Sequence, residues 1–107
     1  MDGMEEISFL MIADIGEAKS LIMSSIDKAS EGNFDTAKDL INASNKKMGQ
    51  AHERHFGLIQ NEAQGEKIAL DLLFIHAEDQ LMSTSLLKDL AEKLIIMYEK
   101  MYDLKNK

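Results

Sequence analysis

The chain contains no proline, and its apolar residues recur at three- and four-residue steps almost throughout, a spacing that builds long α-helices and little else. Only two stretches break the pattern, Glu31-Gly32-Asn33 and Ala63-Gln64-Gly65-Glu66. Each supplies a glycine able to take the left-handed conformation that ends a helix. The first run, from Met4 to about Ser30, carries Ile7, Leu10, Met11, Ala18, Leu21, Ile22 and Ile26 and is weakly interrupted by Gly16. Asn33 is expected to cap a second helix that continues from Phe34 through Ala37, Leu40, Ile41, Met48, Ala51, Leu58 and Ile59. A third is expected from near Lys67 to the C-terminus, carrying Leu72, Ile75, Leu86, Leu90, Leu94, Met97 and Met101. Lys100, Lys105 and Lys107 would complement its dipole, and Ser83-Thr84-Ser85 is its weak spot.

These runs predict an all-α fold of three long antiparallel helices in an up-down-up bundle, with residues 1–107 forming one domain. Helices of nearly thirty residues would span about 40 Å at a rise of roughly 1.5 Å per residue. Such a thin rod has a small core for its length and invites self-association. Eight methionines suit adaptable core packing.

Without cysteine the chain has no disulfide, thiolate metal site or cysteine nucleophile, which fits a reducing compartment. Its beginning, MDGMEEISFLMIAD, is acidic where a secretory signal is basic, and no apolar run reaches the roughly 20 residues needed to cross a bilayer. A cytoplasmic protein without membrane insertion is expected. The net charge of -7 would repel a nucleic-acid backbone and suits encounter with a basic protein face.

The third helix holds the chemically informative segment, Leu72-Leu73-Phe74-Ile75-His76-Ala77-Glu78-Asp79-Gln80-Leu81-Met82. Along the stripe Leu72, Ile75, Asp79, Met82, Leu86 and Leu90, Asp79 lies one heptad from both Leu72 and Leu86 and should face an interior. A buried carboxylate needs a partner, and equivalent Asp79 side chains meeting on an oligomer axis could share a hard cation such as Mg2+. The competing reading puts Asp79 on a solvated edge. His76 precedes Asp79 by three residues and Gln80 by four, so both lie within helical reach of its ring. An imidazole held in one tautomer can use its other nitrogen as a nucleophile toward phosphorus, whereas a packing histidine bonded to a neighbour is the plainer alternative. His52 and His55 form a weaker metal candidate, since the run His52-Glu53-Arg54-His55 lacks the extra residue of the zinc motif HExxH. No serine lies in a nucleophile elbow or phosphate loop.

Five segments in order, Gly16-Glu17-Ala18-Lys19-Ser20, Glu31-Gly32-Asn33-Phe34, Ala51-His52, Leu58-Ile59-Gln60-Asn61-Glu62-Ala63 and His76-Ala77-Glu78-Asp79-Gln80-Leu81-Met82, resemble the lactose/cellobiose (diacetylchitobiose)-type IIA family of the sugar phosphotransferase system. The resemblance covers almost the whole chain. It implies a homotrimer of three-helix protomers that functions as a phosphotransferase. His76 matches the histidine that accepts phosphate from the histidine-containing phosphocarrier protein and passes it to a cysteine of the IIB component. Asp79 matches the aspartate that, once from each protomer, binds one Mg2+ per trimer. Gln80 stands where many members have a second histidine; its amide can orient a phosphoryl oxygen but brings no positive charge. Arg54-His55-Phe56-Gly57 also departs from the usual Gln-Thr-containing stretch, and His55 could supply a compensating polar group near the site. Two other readings stand beside this one: a non-catalytic helical oligomerisation module, and a metal-storing bundle that uses His52 and His55.

Overall fold

The computed structural model describes residues 3–67 and 71–106. They form α1 (Gly3–Ser30), α2 (Phe34–Ala63) and α3 (Leu72–Lys105), with no strand among the described residues. Met1, Asp2, the stretch Ile68-Ala69-Leu70 where the third helix was expected to be under way, and Lys107 lie outside them. Cross-helix pairs give the directions. Asp14 meets Arg54 while Glu17 meets Lys47, so α2 runs back along α1. Lys38 meets Glu99 while His55 meets Glu78, so α3 reverses again. The up-down-up order follows, and α1 and α3 lie parallel.

The rod measures 60 × 23 × 19 Å, and its radius of gyration is 17.0 Å. A compact chain of this length would have about 13 Å. Small side chains explain the slenderness. Ala18, Ala29, Ala37, Ala51, Ala77 and Ala91 are buried in the interior together with Ser8, Ser25 and Ser44. Larger residues cluster around them in two groups: Met11, Ile15, Met48 and Leu81 toward one end, and Ile22, Ile41 and Ile95 toward the other. Ser25 and Ser44 donate to the carbonyls of Ile22 and Ile41, which satisfies their hydroxyls within their own helices. Between α1 and α2, Lys47 bonds Glu17 at 2.8 Å, and that hydrogen bond and charge hold the ammonium pKa above its ordinary value.

Both breaks close as expected, on glycines at φ +84° (Gly32) and +96° (Gly65). Asn33 does not act as the side-chain cap that its residue type suggested. Its N–H donates back to the carbonyl of Lys28 at 2.9 Å and its own carbonyl accepts from Ala37, so its backbone finishes α1 and begins α2. Glu66 likewise donates to Asn61 behind Gly65. Ser83-Thr84-Ser85 leaves α3 unbroken, because Thr84 is buried and the Ser85 hydroxyl bonds the carbonyl of Leu81 at 2.8 Å. Gly16 leaves α1 continuous as well.

The largest correction concerns which side of α3 faces inward. Phe74, Ala77, Leu81, Thr84, Ala91 and Ile95 are the buried positions. The stripe drawn from the heptad spacing lies on the outside: Leu72 is 83% exposed, Met82 67% and Leu86 62%, with Ile75, Leu90, Met97, Met101 and Leu104 also half exposed or more. Both faces of α3 are apolar, and the alanine-bearing one fits the narrow gap that α1 and α2 leave. The methionines divide accordingly, Met11 and Met48 in the core and Met23, Met82, Met97 and Met101 on the surface.

The Tyr102 ring lies 3.4 Å from where a Gly32 side chain would begin and meets Phe34 edge-on at 5.6 Å between centroids. This contact locks the end of α3 to the α1–α2 turn. Gly32→Ala is therefore expected to lower unfolding free energy by about 1–2 kcal/mol, the usual cost of a left-handed alanine. Urea denaturation would measure it, and an unchanged midpoint would contradict the strained turn.

Candidate functional site

The site begins at the start of α3. Asp71, in extended conformation with φ -86° and ψ 169°, accepts a hydrogen bond from the Phe74 N–H at 2.8 Å. That side-chain cap starts the helix at Leu72, after the Lys67 start that propensity suggested, because the carboxylate satisfies an N–H that would otherwise lack a partner. His76 falls in the second turn, just beyond the cap.

His76 and Asp79 are exposed and Gln80 is half-buried. With i, i+3 and i, i+4 spacing they form one polar group on the outer side of α3. Asp79 does not face the interior of the chain. It sits within the outward stripe, between Ile75 and Met82, where it is exposed to solvent. Neither nitrogen of His76 has a partner among the described residues, so the fold leaves the ring available to an incoming group.

Below this outer surface, His76 is flanked on α3 by two inward-turned residues, Phe74 and Glu78, which meet the same side chain of α2. The His55 Nε2 lies 2.8 Å from the Glu78 Oε2, and the His55 ring stacks on Phe74 at 6.4 Å between centroids and 18° between planes. A carboxylate only accepts, so Nε2 carries the proton and donates it. His55 is thus a polar group beside the site, and it reaches the residues on either side of His76. No local pattern announces a contact that spans 23 positions.

His52 and His55 both line a pocket of about 400 Å³ on α2, together with Glu53, Phe56 and Ile59. His52 also borders a groove of about 440 Å³ between α2 and α3, lined by Asn45, Gly49, Ser85, Lys88 and Asp89. Among the described residues no three histidine, aspartate or glutamate side chains cluster to hold a metal within one chain. Nearer the α1–α2 interface, Arg54 Nε and Asp14 Oδ2 face one another at 3.5 Å, both shielded from solvent. That separation is too long for a good hydrogen bond, which leaves a coulombic pair. Among the described residues no helix is long and apolar enough to cross a membrane.

Because the cap is what starts the helix bearing His76, Asp71→Ala is expected to cost about 1 kcal/mol of stability. Amide exchange in the first turn of α3 should accelerate, and Asp71→Asn should restore most of the protection. Equal protection in all three proteins would show that the helix start does not depend on the cap.

A family model described as the lactose/cellobiose-specific IIA subunit of the phosphotransferase system matches residues 6–99. The chain is 36% identical over 99 residues to the lactose-specific EIIA component of Staphylococcus epidermidis, covering 92% of this chain and 95% of that protein. The crystal structure of the cellobiose-specific enzyme IIA from Bacillus anthracis superposes with a TM-score of 0.93 at 34% identity, over 96% of this chain and 94% of that one. IIA(Chitobiose), in its solution complex with HPr from the N,N'-diacetylchitobiose branch of the Escherichia coli phosphotransferase system, gives a TM-score of 0.82 at 29% identity. That match covers 95% of this chain and 99% of that one.

Proposed function

The chain belongs to the lactose/cellobiose-specific IIA family of the phosphotransferase system, and from that premise we propose that it is a cytoplasmic phosphocarrier whose phosphoryl group resides on His76. It accepts the group from the histidine-containing phosphocarrier protein and gives it to a cysteine of the IIB component during uptake of a β-linked disaccharide. The observation that supports this most directly is the exposed, unpartnered imidazole of His76 at the start of α3. A chain with this fold has also been solved with HPr bound, the IIA(Chitobiose) complex.

Transfer to His76 is an in-line displacement. The lone pair of the unprotonated Nε2 forms a bond to phosphorus as the bond from phosphorus to the donor histidine breaks, and that electron pair returns to the donor nitrogen. In the second step the thiolate sulfur of the IIB component bonds phosphorus and the Nε2 bond breaks. The protein's part is positioning and electrostatics, with little covalent rearrangement asked of its own groups. Gln80, one turn on, can donate its side-chain N–H to a phosphoryl oxygen and orient the group without adding charge.

A homotrimer joined along α3 accounts for the outward apolar stripe, since such a face is stable when it packs against copies of itself. Asp79 lies within that stripe as an exposed carboxylate among hydrophobic residues. Three copies brought to one axis form an all-oxygen donor set that suits Mg2+. Bound there, the ion would offset most of the charge of the three carboxylates and so relieve their mutual repulsion; Asp79 is a structural ligand in this reading and not a base. The same stripe would also serve a non-catalytic oligomerisation module, and phosphate uptake distinguishes the two.

Incubation with the phosphorylated carrier protein should place one acid-labile phosphate on each wild-type chain and none on His76→Ala. Label persisting in the mutant would exclude His76, and a wild type that takes up none would favour the non-catalytic module. Asp79→Leu is expected to remain a folded trimer, because the carboxylates that required the cation are gone. Sedimentation giving a monomer would make the ion essential to assembly.

A further inference from the structure

We propose that His55 is a positioning residue for phosphoryl transfer: it holds the second turn of α3, and with it His76, at a fixed place against α2. The inference rests on the reading of His76 as the phosphoryl acceptor, and adds to it a residue on another helix that never touches the phosphate.

The geometry supplies the argument. His76 stands so close to the start of α3 that only one turn precedes it, and helix ends open more readily than helix interiors. Lateral contacts must therefore hold that turn. On one side Ala77 and Leu81 pack into the cluster of Met11, Ile15, Ala18, Met48 and Ala51. Alanine there offers little surface to grip. On the other side the contact is His55, whose Nε2 donates to Glu78 at 2.8 Å while its ring lies on Phe74.

Phe74 and Glu78 are the residues two before and two after His76. A single side chain of α2 thus spans the α3 segment on which His76 sits, from behind. His55 is largely shielded, with 22% of its side chain exposed, and Glu78 is more open at 36%. The hydrogen bond adds direction to the packing: it fixes the rotation of α3 about its own axis, and that rotation sets where the His76 ring points. In-line attack is sensitive to such aim, since a displacement of about 1 Å can slow a reaction on the order of a hundredfold.

The test compares wild type, His55→Leu, His55→Gln and Glu78→Ala in rapid-quench phosphate uptake from the phosphorylated carrier protein, with folding and assembly checked by circular dichroism and sedimentation. His55→Leu is expected to lower the maximal transfer rate about tenfold, with the half-saturating carrier concentration unchanged. His55→Gln keeps a side-chain N–H for Glu78 and should recover most of the rate. Glu78→Ala should reproduce the loss, and combining it with His55→Leu should add little, because both remove one interaction.

Amide exchange at residues 74–78, read without any phosphate donor, should rise in His55→Leu and Glu78→Ala alike. A His55→Leu rate within twofold of wild type would overturn the proposal. So would a His55→Gln protein as slow as His55→Leu, or a loss confined to carrier binding. A wild type that accepts no phosphate would instead overturn the His76 reading on which the proposal stands, even with the exchange result intact. Should His55→Leu fail to fold, Glu78→Ala and His55→Gln decide the matter in the same way.

Discussion

Everything in this protein depends on how closely its helices approach one another. Alanine and serine at the positions where α1, α2 and α3 meet permit short interaxial distances, since helix separation is set by the side chains at the contact. Closeness confines the large residues between the helices to two small clusters, and the bundle is long and narrow. A third helix packed this way buries Phe74, Ala77, Leu81 and Ala91 and turns an equally apolar flank to the outside. The small core and the unsatisfied surface are therefore two results of one packing choice.

Within that frame the polar residues of α3 divide by depth. His76, Asp79 and Gln80 lie on the outer side, where a partner can reach them, and Glu78 turns toward α2. The cap at Asp71 gives the helix a defined first turn, and His55 meets it from behind. Exposed and inward-turned polar groups thus share one short stretch of helix but do not compete for the same space.

The helices were legible because the chain carries two glycine breaks and no proline between them. The start of α3 was less so: helix was expected from near Lys67, whereas the bond from Phe74 N–H to the Asp71 side chain caps α3 at Leu72. Asn33 misled for a related reason, since its residue type suits a side-chain cap while its backbone was already engaged in closing α1. The inward face of α3 was missed because heptad spacing finds apolar stripes and cannot rank two of them, and alanine, which marks the buried one, carries little hydrophobic signal. His76, Asp79 and Gln80 could be grouped by spacing alone. The His55 contact could not, being a product of how α2 and α3 are set side by side.

The length of the rod has an electrical consequence. From His76 to Lys105 the helix rises about 44 Å at roughly 1.5 Å per residue, while at physiological salt exposed charges are screened over about 8 Å. The far end of α3, with Lys100, Asp103 and Lys105 exposed beside the Gly32 turn, is thus separated from His76 by about five screening lengths. Charge there can change without altering the field in which a dianionic group on His76 would sit. On the proposed role of His76, the field is constrained at one end of the molecule and free at the other.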